Sequence, residues 1–295
     1  MTVLIIGELD YQTKELQEYL QMRGGDSRLC AIAELAADGS LDARLKAIGC
    51  QVVINVSSAQ QLSAGIGSDE AGSQLIPLLS AVEQLGIPYI HLSSSAVFER
   101  EEGRRYREID EDFSMLPLGQ GYQHFESLVR QYCRRHIILR IGQVFAPRGD
   151  NLLAEMLGDF QRGSVELLLH GHGAPIPVID FCRVISALCD QLSCGVDEWP
   201  VSVWGDYHYA SSDPTTHYHF GETVLAVMSQ YADTAHIELV GLEEGEGEWR
   251  RPLLNCEKLQ STFGIKQLPW RAAIVGAVRE YYETIQQIEK LEVES

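Results

Sequence analysis

Val3-Leu4-Ile5-Ile6 runs into Gly7, and after Glu8-Leu9-Asp10 the residues Leu16, Tyr19, Leu20 and Met22 recur at helix spacing until Gly24-Gly25. A short apolar run closed by glycine and followed by helical periodicity predicts strand, turn, helix. The alternation continues outward. Leu29-Cys30-Ala31-Ile32 predicts a strand, Leu41 to Ile48 a helix, and Val52-Val53-Ile54-Asn55-Val56 a third strand. Leu75 to Leu85 then predicts a helix stopped by Gly86, and Tyr89-Ile90-His91-Leu92 a strand that leads into Ser93-Ser94-Ser95. Strands apolar on both faces and separated by helices require a parallel sheet covered on both sides. The expected fold is therefore α/β, with a doubly wound, Rossmann-type sheet.

Beyond a charged loop from Glu99 to Asp112, the pattern predicts a helix from Tyr122 to Arg134, a strand at Ile137-Ile138-Leu139, and helices over Leu152 to Phe160 and Ile179 to Gln191. Strands follow at Val201-Ser202-Val203-Trp204 and Ile237-Glu238-Leu239, with a helix from Gly221 to Tyr231 between them. A long terminal helix spans Arg271 to Leu291. The expected organisation is a Rossmann-like domain over residues 1–165 and a smaller α/β substrate-type lobe over 166–295, with segments exchanged between them. The stripe Ile274, Ala277, Val278, Tyr281, Tyr282 and Ile285, then Ile288 and Leu291, reads as core packing, and its extension beyond Tyr282 suits a protein partner or a second copy of the chain.

The chain has 295 residues, with 23 Lys+Arg against 42 Asp+Glu and a formal net charge of −19. That balance excludes nucleic acid and anionic membranes as default partners, because both need a basic face. With 45% hydrophobic residues the chain can build a packed core, which excludes a wholly disordered acidic protein. The stretch Met1 to Gln12 has no basic leader, and no segment reaches the roughly 18 apolar residues of a membrane span, so a cytoplasmic protein is expected. The 7 cysteines are scattered without a C-x-x-C pair and read as reduced thiols. His170-Gly171-His172 and His217-Tyr218-His219 lack a third ligand at metal-site spacing, so no metal is expected. The acidic run Glu243 to Glu248 reads as a solvated loop.

Three distant segments carry a family resemblance. One is Ile90 to Phe98 with Tyr106-Arg107-Glu108-Ile109-Asp110 and Pro117-Leu118 before Tyr122. Another is His136-Ile137-Ile138-Leu139-Arg140, continuing through Val144-Phe145 to Gly149-Asp150-Asn151. The last is Arg250-Arg251-Pro252-Leu253-Leu254-Asn255-Cys256 with Lys258-Leu259, Phe263-Gly264-Ile265 and Pro269-Trp270. With Gly173-Ala174-Pro175 between them, in this order, the chain resembles dTDP-4-dehydrorhamnose reductase and its relatives among the extended short-chain dehydrogenase/reductases. The resemblance implies an NAD(P)-binding domain and a sugar-nucleotide lobe.

In such enzymes a Ser or Thr and a Tyr hydrogen-bond the substrate carbonyl, and a Lys four residues after the Tyr favours its ionised form and holds the nicotinamide ribose. Ser94 and Tyr122 match the first two positions, and Glu126 stands at the third. A carboxylate one turn from the phenol disfavours the phenolate. The family's glycine-rich loop is matched by Gly7, while Asp10 and Thr13 replace the later glycines and Glu8 adds another negative charge. Asp10 alternatively reads as a helix N-cap. The resemblance places Ser95, Asn151, His172, Pro175 and Arg251 in the substrate-type pocket, with Arg251 facing a diphosphate.

These substitutions lead to the expectation of a reductase-like pseudoenzyme that binds or regulates and has little or no hydride-transfer activity. On that reading no cofactor is bound. Two alternatives stay open: an active NAD(P)H-dependent reductase of a dTDP-4-keto sugar using Ser94 and Tyr122 with NADP or NAD, and a cofactor-free sugar-nucleotide sensor.

Overall fold

The computed structural model describes residues 1–36, 40–57, 72, 74–194, 199–243 and 251–294. Six parallel strands form one sheet in the order Gly205–Tyr209, His136–Ile141, Tyr89–Ser94, Val52–Asn55, Thr2–Ile6, Asp26–Cys30. The chain passes from Thr2–Ile6 outward to Asp26–Cys30, then returns across to Val52–Asn55 on the other side. The winding therefore reverses between Thr2–Ile6 and Val52–Asn55. In doubly wound sheets ligands bind in the crevice at that reversal, beyond the carboxyl ends of the strands.

The period-two alternation of each strand explains why both faces are covered. Val3 and Ile5 join one apolar cluster with Ile90, Leu92, Ile137 and Leu139, under Phe181 and Ile185 of helix Val178–Leu192. Leu4 and Ile6 join another with Val53 and Ile138, under Phe125 and Val129 of helix Pro117–Tyr132. Each such side chain contributes roughly 1.5–3 kcal/mol on full burial. A third cluster gathers Phe160, Phe220, Val224, Trp270, Ile274 and Val278 against the small sheet of Ser164–Leu168 and Glu238–Leu242. Strand Gly205–Tyr209 and helix Val178–Leu192 lie beyond residue 165 in sequence, yet they pack on the main sheet.

Several boundaries differ from the sequence expectation for physical reasons. The second strand is Asp26–Cys30, paired along the whole of Thr2–Ile6, because an edge strand needs little apolar cover. Val201 to Trp204 is not a strand. It forms a 3-10 turn over Val201–Val203 after Pro200, and the strand follows at Gly205–Tyr209. Asp206 and His208 hid that strand, since both are polar yet find partners inside the protein. The helix expected from Tyr122 begins instead at Pro117, a residue suited to a first helical turn. Along the terminal helix, Ile274 and Val278 are buried, the Tyr281 hydroxyl accepts from Gln161, and Tyr282 stacks on Tyr231, all within the chain. The side chains of Ile288 and Leu291 lie outside the described residues. Among the described residues no helix is long and apolar enough to cross a membrane.

His91 lies in the middle of strand Tyr89–Ser94, fully buried, with no hydrogen-bond partner for its Nδ1 among the described residues. Burial pushes its pKa down to about 4, although the nearby Glu126 charge pulls the other way. The folded protein thus keeps the ring neutral, whereas the unfolded chain takes up a proton below about 6.5. Stability falls as pH drops from that value toward 4. His91→Gln is expected to flatten this loss, as read by urea unfolding at pH 7 and pH 5; an unchanged slope would contradict the assignment.

Candidate active site

Helix Pro117–Tyr132 approaches the end of strand Tyr89–Ser94 very closely. A Cβ on Gly119 would lie 2.5 Å from the Ala96 carbonyl oxygen and 2.7 Å from Ser114 Cβ, so only glycine allows this contact. The approach brings Tyr122 to the same cavity as Ser94. That cavity, about 200 Å³, is lined by Gln12, Ser57, Ser94, Tyr122, Gln143 and Arg251, among others, and lies at the winding reversal. Among the described lining residues Arg251 alone carries a charge. Arg251 also lines a second cavity of about 190 Å³ with Arg100, Glu101, Glu102 and His172. The two cavities therefore share Arg251 in their lining.

Glu126 does not line this cavity. Its side chain is 1% exposed, and its carboxylate accepts from Arg140 Nε at 2.8 Å, Arg140 Nη2 at 2.7 Å, Arg130 Nη2 at 2.8 Å and Ser93 Oγ at 2.6 Å. Strand alternation accounts for the meeting: Arg140 shares a face with Ile138, the face covered by helix Pro117–Tyr132, and it pairs in register with Ser93 and His208. Burial alone would raise the Glu126 pKa. The bonds and charge of Arg140, the Ser93 bond and the Arg130 charge outweigh it and hold the group at about 2. Two guanidiniums, of Arg140 and Arg130, thus pair with Glu126, so its charge is balanced in the core rather than standing alone beside Tyr122. Arg140 in turn reaches Asp206 at 3.2 Å and lies 4.9 Å from the Phe98 ring centroid, and Arg130 reaches the same Asp206.

At the first turn, Gly7 keeps the close approach expected of it, because a Cβ there would meet Val56 Cγ2 at 2.6 Å. Asp10 is the N-cap. The Thr13 amide donates to Asp10 Oδ1 at 2.7 Å, and the Asp10 amide donates to Thr13 Oγ1 at 3.0 Å. This capping box engages amides at the helix start, where a dinucleotide pyrophosphate would find its donors. Asp10 and the adjacent Glu8 also bring negative charge to the place of two phosphates. In this arrangement the residues present do not fit a conventional pyrophosphate clamp.

The other expected pocket residues separate. Ser95 is buried in the 3-10 turn Ser95–Val97, its Oγ without a partner among the described residues. Pro175 is buried and lines neither cavity. Asn151 caps helix Leu152–Arg162 by accepting from Leu153 and Ala154, and it lines a neighbouring cleft with Asp10 that shares Gln12 and Val144 with the Ser94–Tyr122 cavity. His172 reaches the second cavity, while His170 pairs with exposed Glu243 at 2.7 Å. No group of three or more His, Cys, Asp or Glu placed to hold a metal occurs among the described residues. Arg250 and the acidic run after Glu243 lie outside the described residues.

Sequence reading missed Gln12, Ser57 and Gln143, which carry no distinctive motif. It also missed the role of Arg140, although an arginine inside an apolar strand was a usable signal: it must bury with a carboxylate.

The RmlD substrate binding domain model matches residues 1–283. The chain belongs to this family. A dTDP-4-dehydrorhamnose reductase of Sinorhizobium fredii is 25% identical over 206 residues, covering 65% of this chain and 66% of that protein. One from Escherichia coli is 25% identical over 218 residues, 70% of each. These matches span about two thirds of the relatives' length. A dTDP-4-dehydrorhamnose reductase of Clostridium acetobutylicum superposes with a TM-score of 0.75 at 17% identity, over 97% of this chain and 100% of the other. A Bacillus anthracis dTDP-4-dehydrorhamnose reductase in complex with NADP gives the same score and identity over 95% and 99%. Fold and family are thus those of the dTDP-4-dehydrorhamnose reductases.

Removing one partner of such a pair strands the other. Glu126→Gln is expected to cost about 3–5 kcal/mol in urea unfolding at neutral pH. Glu126→Lys is expected to cost more, because an ammonium would meet Arg140 and Arg130. Either variant as stable as the parent would refute the pairing.

Proposed function

We propose that the chain binds a sugar nucleotide in the Ser94–Tyr122 cavity and has little or no hydride-transfer activity, serving as a binding or regulatory member of its family. The observation that carries this reading is the commitment of Glu126 to Arg140. One turn after Tyr122 the helix presents a carboxylate bound into the core rather than an ammonium directed at a phenol and a ribose. The capping box at Asp10 and Thr13 supports it from the cofactor side.

The ligand class follows from the lining. A cavity with serine hydroxyls, a phenol, two amide side chains and a single guanidinium suits a polyol carrying phosphate. Neither cavity alone reaches the roughly 300 Å³ at which ligand pockets begin, but joined at Arg251 they do. Sugar and diphosphate would then lie on either side of that residue.

One observation favours a second reading, an active NAD(P)H-dependent reductase: Ser94 and Tyr122 line the same cavity, as carbonyl-binding groups must.

Both readings meet in one pair of measurements. The proposal expects dTDP- or UDP-sugars to raise the melting temperature, Arg251→Ala to remove that rise, and a dTDP-4-keto sugar with NADPH or NADH to give no nicotinamide oxidation. Turnover that Tyr122→Phe abolishes would instead establish the reductase.

A further inference from the structure

Residues 100–103 and 251–253 line the second cavity from two distant parts of the chain. Just beyond each, the chain enters one strand of a short parallel pair, in which Leu253 lies beside Arg105 and Leu254 beside Tyr106. The Asn255 amide extends the pair by donating to the Tyr106 carbonyl at 2.7 Å. Two residues per strand contribute little stability by themselves, so the place of this pair depends on what it is tied to. At the Tyr106 carbonyl the tie is His208, whose Nδ1 stands 3.1 Å away.

His208 belongs to strand Gly205–Tyr209 of the main sheet, in register with Arg140, and it is fully buried. Its Nε2 lies 3.4 Å from Arg140 Nη1. A guanidinium only donates and a carbonyl only accepts, so these partners leave one tautomer, with the proton on Nδ1 and the lone pair on Nε2. Burial, with the Arg140 charge beside it, pushes the His208 pKa down to about 3, and the ring stays neutral. The Phe98 ring stands nearly perpendicular to it at 5.5 Å between centroids, and the His208 amide donates to Glu108 Oε1 at 3.2 Å.

We propose that His208 is a positioning residue for Arg251: its Nδ1–H anchors the short strand pair through the Tyr106 carbonyl, and this anchor sets how tightly Arg251 holds the phosphate of a bound sugar nucleotide. His208 lines neither cavity, so it acts through the backbone. Arg251 precedes Leu253 by two residues, with Pro252 between them. The proline ring fixes its own φ and restricts the residue before it to extended backbone, so a displacement of the pair reaches Arg251 with little slack. The other wall hangs from the same pair. Arg104 donates to Glu101 Oε2 at 2.8 Å, and its guanidinium carbon stands 4.4 Å from the centroid of the Tyr106 ring. The inference rests on the sugar-nucleotide reading for the identity of the ligand, while the anchor belongs to the unliganded chain.

The test uses two substitutions that divide the contacts of the ring. An asparagine amide can take the place of Nδ1–H and keep a donor on the Tyr106 carbonyl, whereas a glutamine amide reaches the place of Nε2 and serves Arg140. Both leave space beside Phe98 and both lower stability, so a merely structural role predicts the same loss of affinity in each. Calorimetric titration of UDP-glucose is expected instead to place His208→Asn within about threefold of the parent and His208→Gln at least about fivefold weaker, the loss corresponding to one buried hydrogen bond. Equal affinity in the two variants, or weaker binding by His208→Asn, overturns the proposal. Nitrogen-15 NMR of the histidine rings in the unaltered protein, with His208 assigned by its loss in either variant, gives a readout free of any folding defect. A proton on Nδ1 is expected, and a proton on Nε2 overturns the proposal. If the unaltered chain binds no UDP-glucose, it is the sugar-nucleotide reading that fails, and the Arg251 Nε–H resonance of the ligand-free protein decides the inference. Displacement of that resonance in His208→Gln but not in His208→Asn supports the anchor, and any other pattern overturns it.

Discussion

The ion pair of Glu126 with Arg140 is the constraint on which the site depends. It joins the helix that carries Tyr122 to the strand beside Ser93, and through Asp206 and His208 it reaches the last strand of the sheet. Placing two full charges in the interior is costly, and the attraction between them compensates only when their remaining hydrogen-bonding capacity is also met. Here the carboxylate receives four donors from three residues, and the guanidinium adds Asp206 and the face of Phe98. The helix is thereby tied to the sheet at its middle, and Tyr122 is carried to the cavity one turn away.

This arrangement changes the chemical meaning of a single substitution. Read as a residue in a motif, Glu126 is a lost lysine next to a phenol. Read in its surroundings, it is one half of a core structure that has grown around the opposite charge. At the first helix Asp10 and Thr13 form a capping box that occupies the amides of Thr13 and Asp10. The chain's acidity thus acts locally, Glu126 within the core and Asp10 at a helix start.

Much of the fold was legible in the sequence because it rests on periodicity. Val3 to Ile6 and Val52 to Ile54 are apolar on both faces, and Tyr89 to Leu92 is so apart from His91, a pattern that suits a sheet covered on both sides. Leu75 to Leu85 ends where Gly86 takes up φ +65°. Gly205–Tyr209 was not legible, since its alternating polar residues are satisfied by Arg140 and the Tyr106 carbonyl, partners remote in sequence. The site divided in the same way. Ser94, Tyr122 and Arg251 sit on motifs and converge on one cavity, while Ser95 and Pro175, their near neighbours in those motifs, point into packing. Gly119 shows why adjacency misleads: a glycine allows the helix to approach within contact of Ala96, and one residue's difference along the chain decides between cavity and core.

The central claim is that Glu126 is an ionised core anchor rather than a charge facing the cavity. Carbon-13 NMR of labelled glutamate side chains, with Glu126 assigned through Glu126→Gln, reads this directly as pH is lowered. The account predicts that the Glu126 carboxyl signal stays at its ionised position through pH 4, in keeping with a pKa of about 2, until the protein unfolds. A signal that titrates in the folded protein near 4.5, the ordinary value for the group, would contradict it.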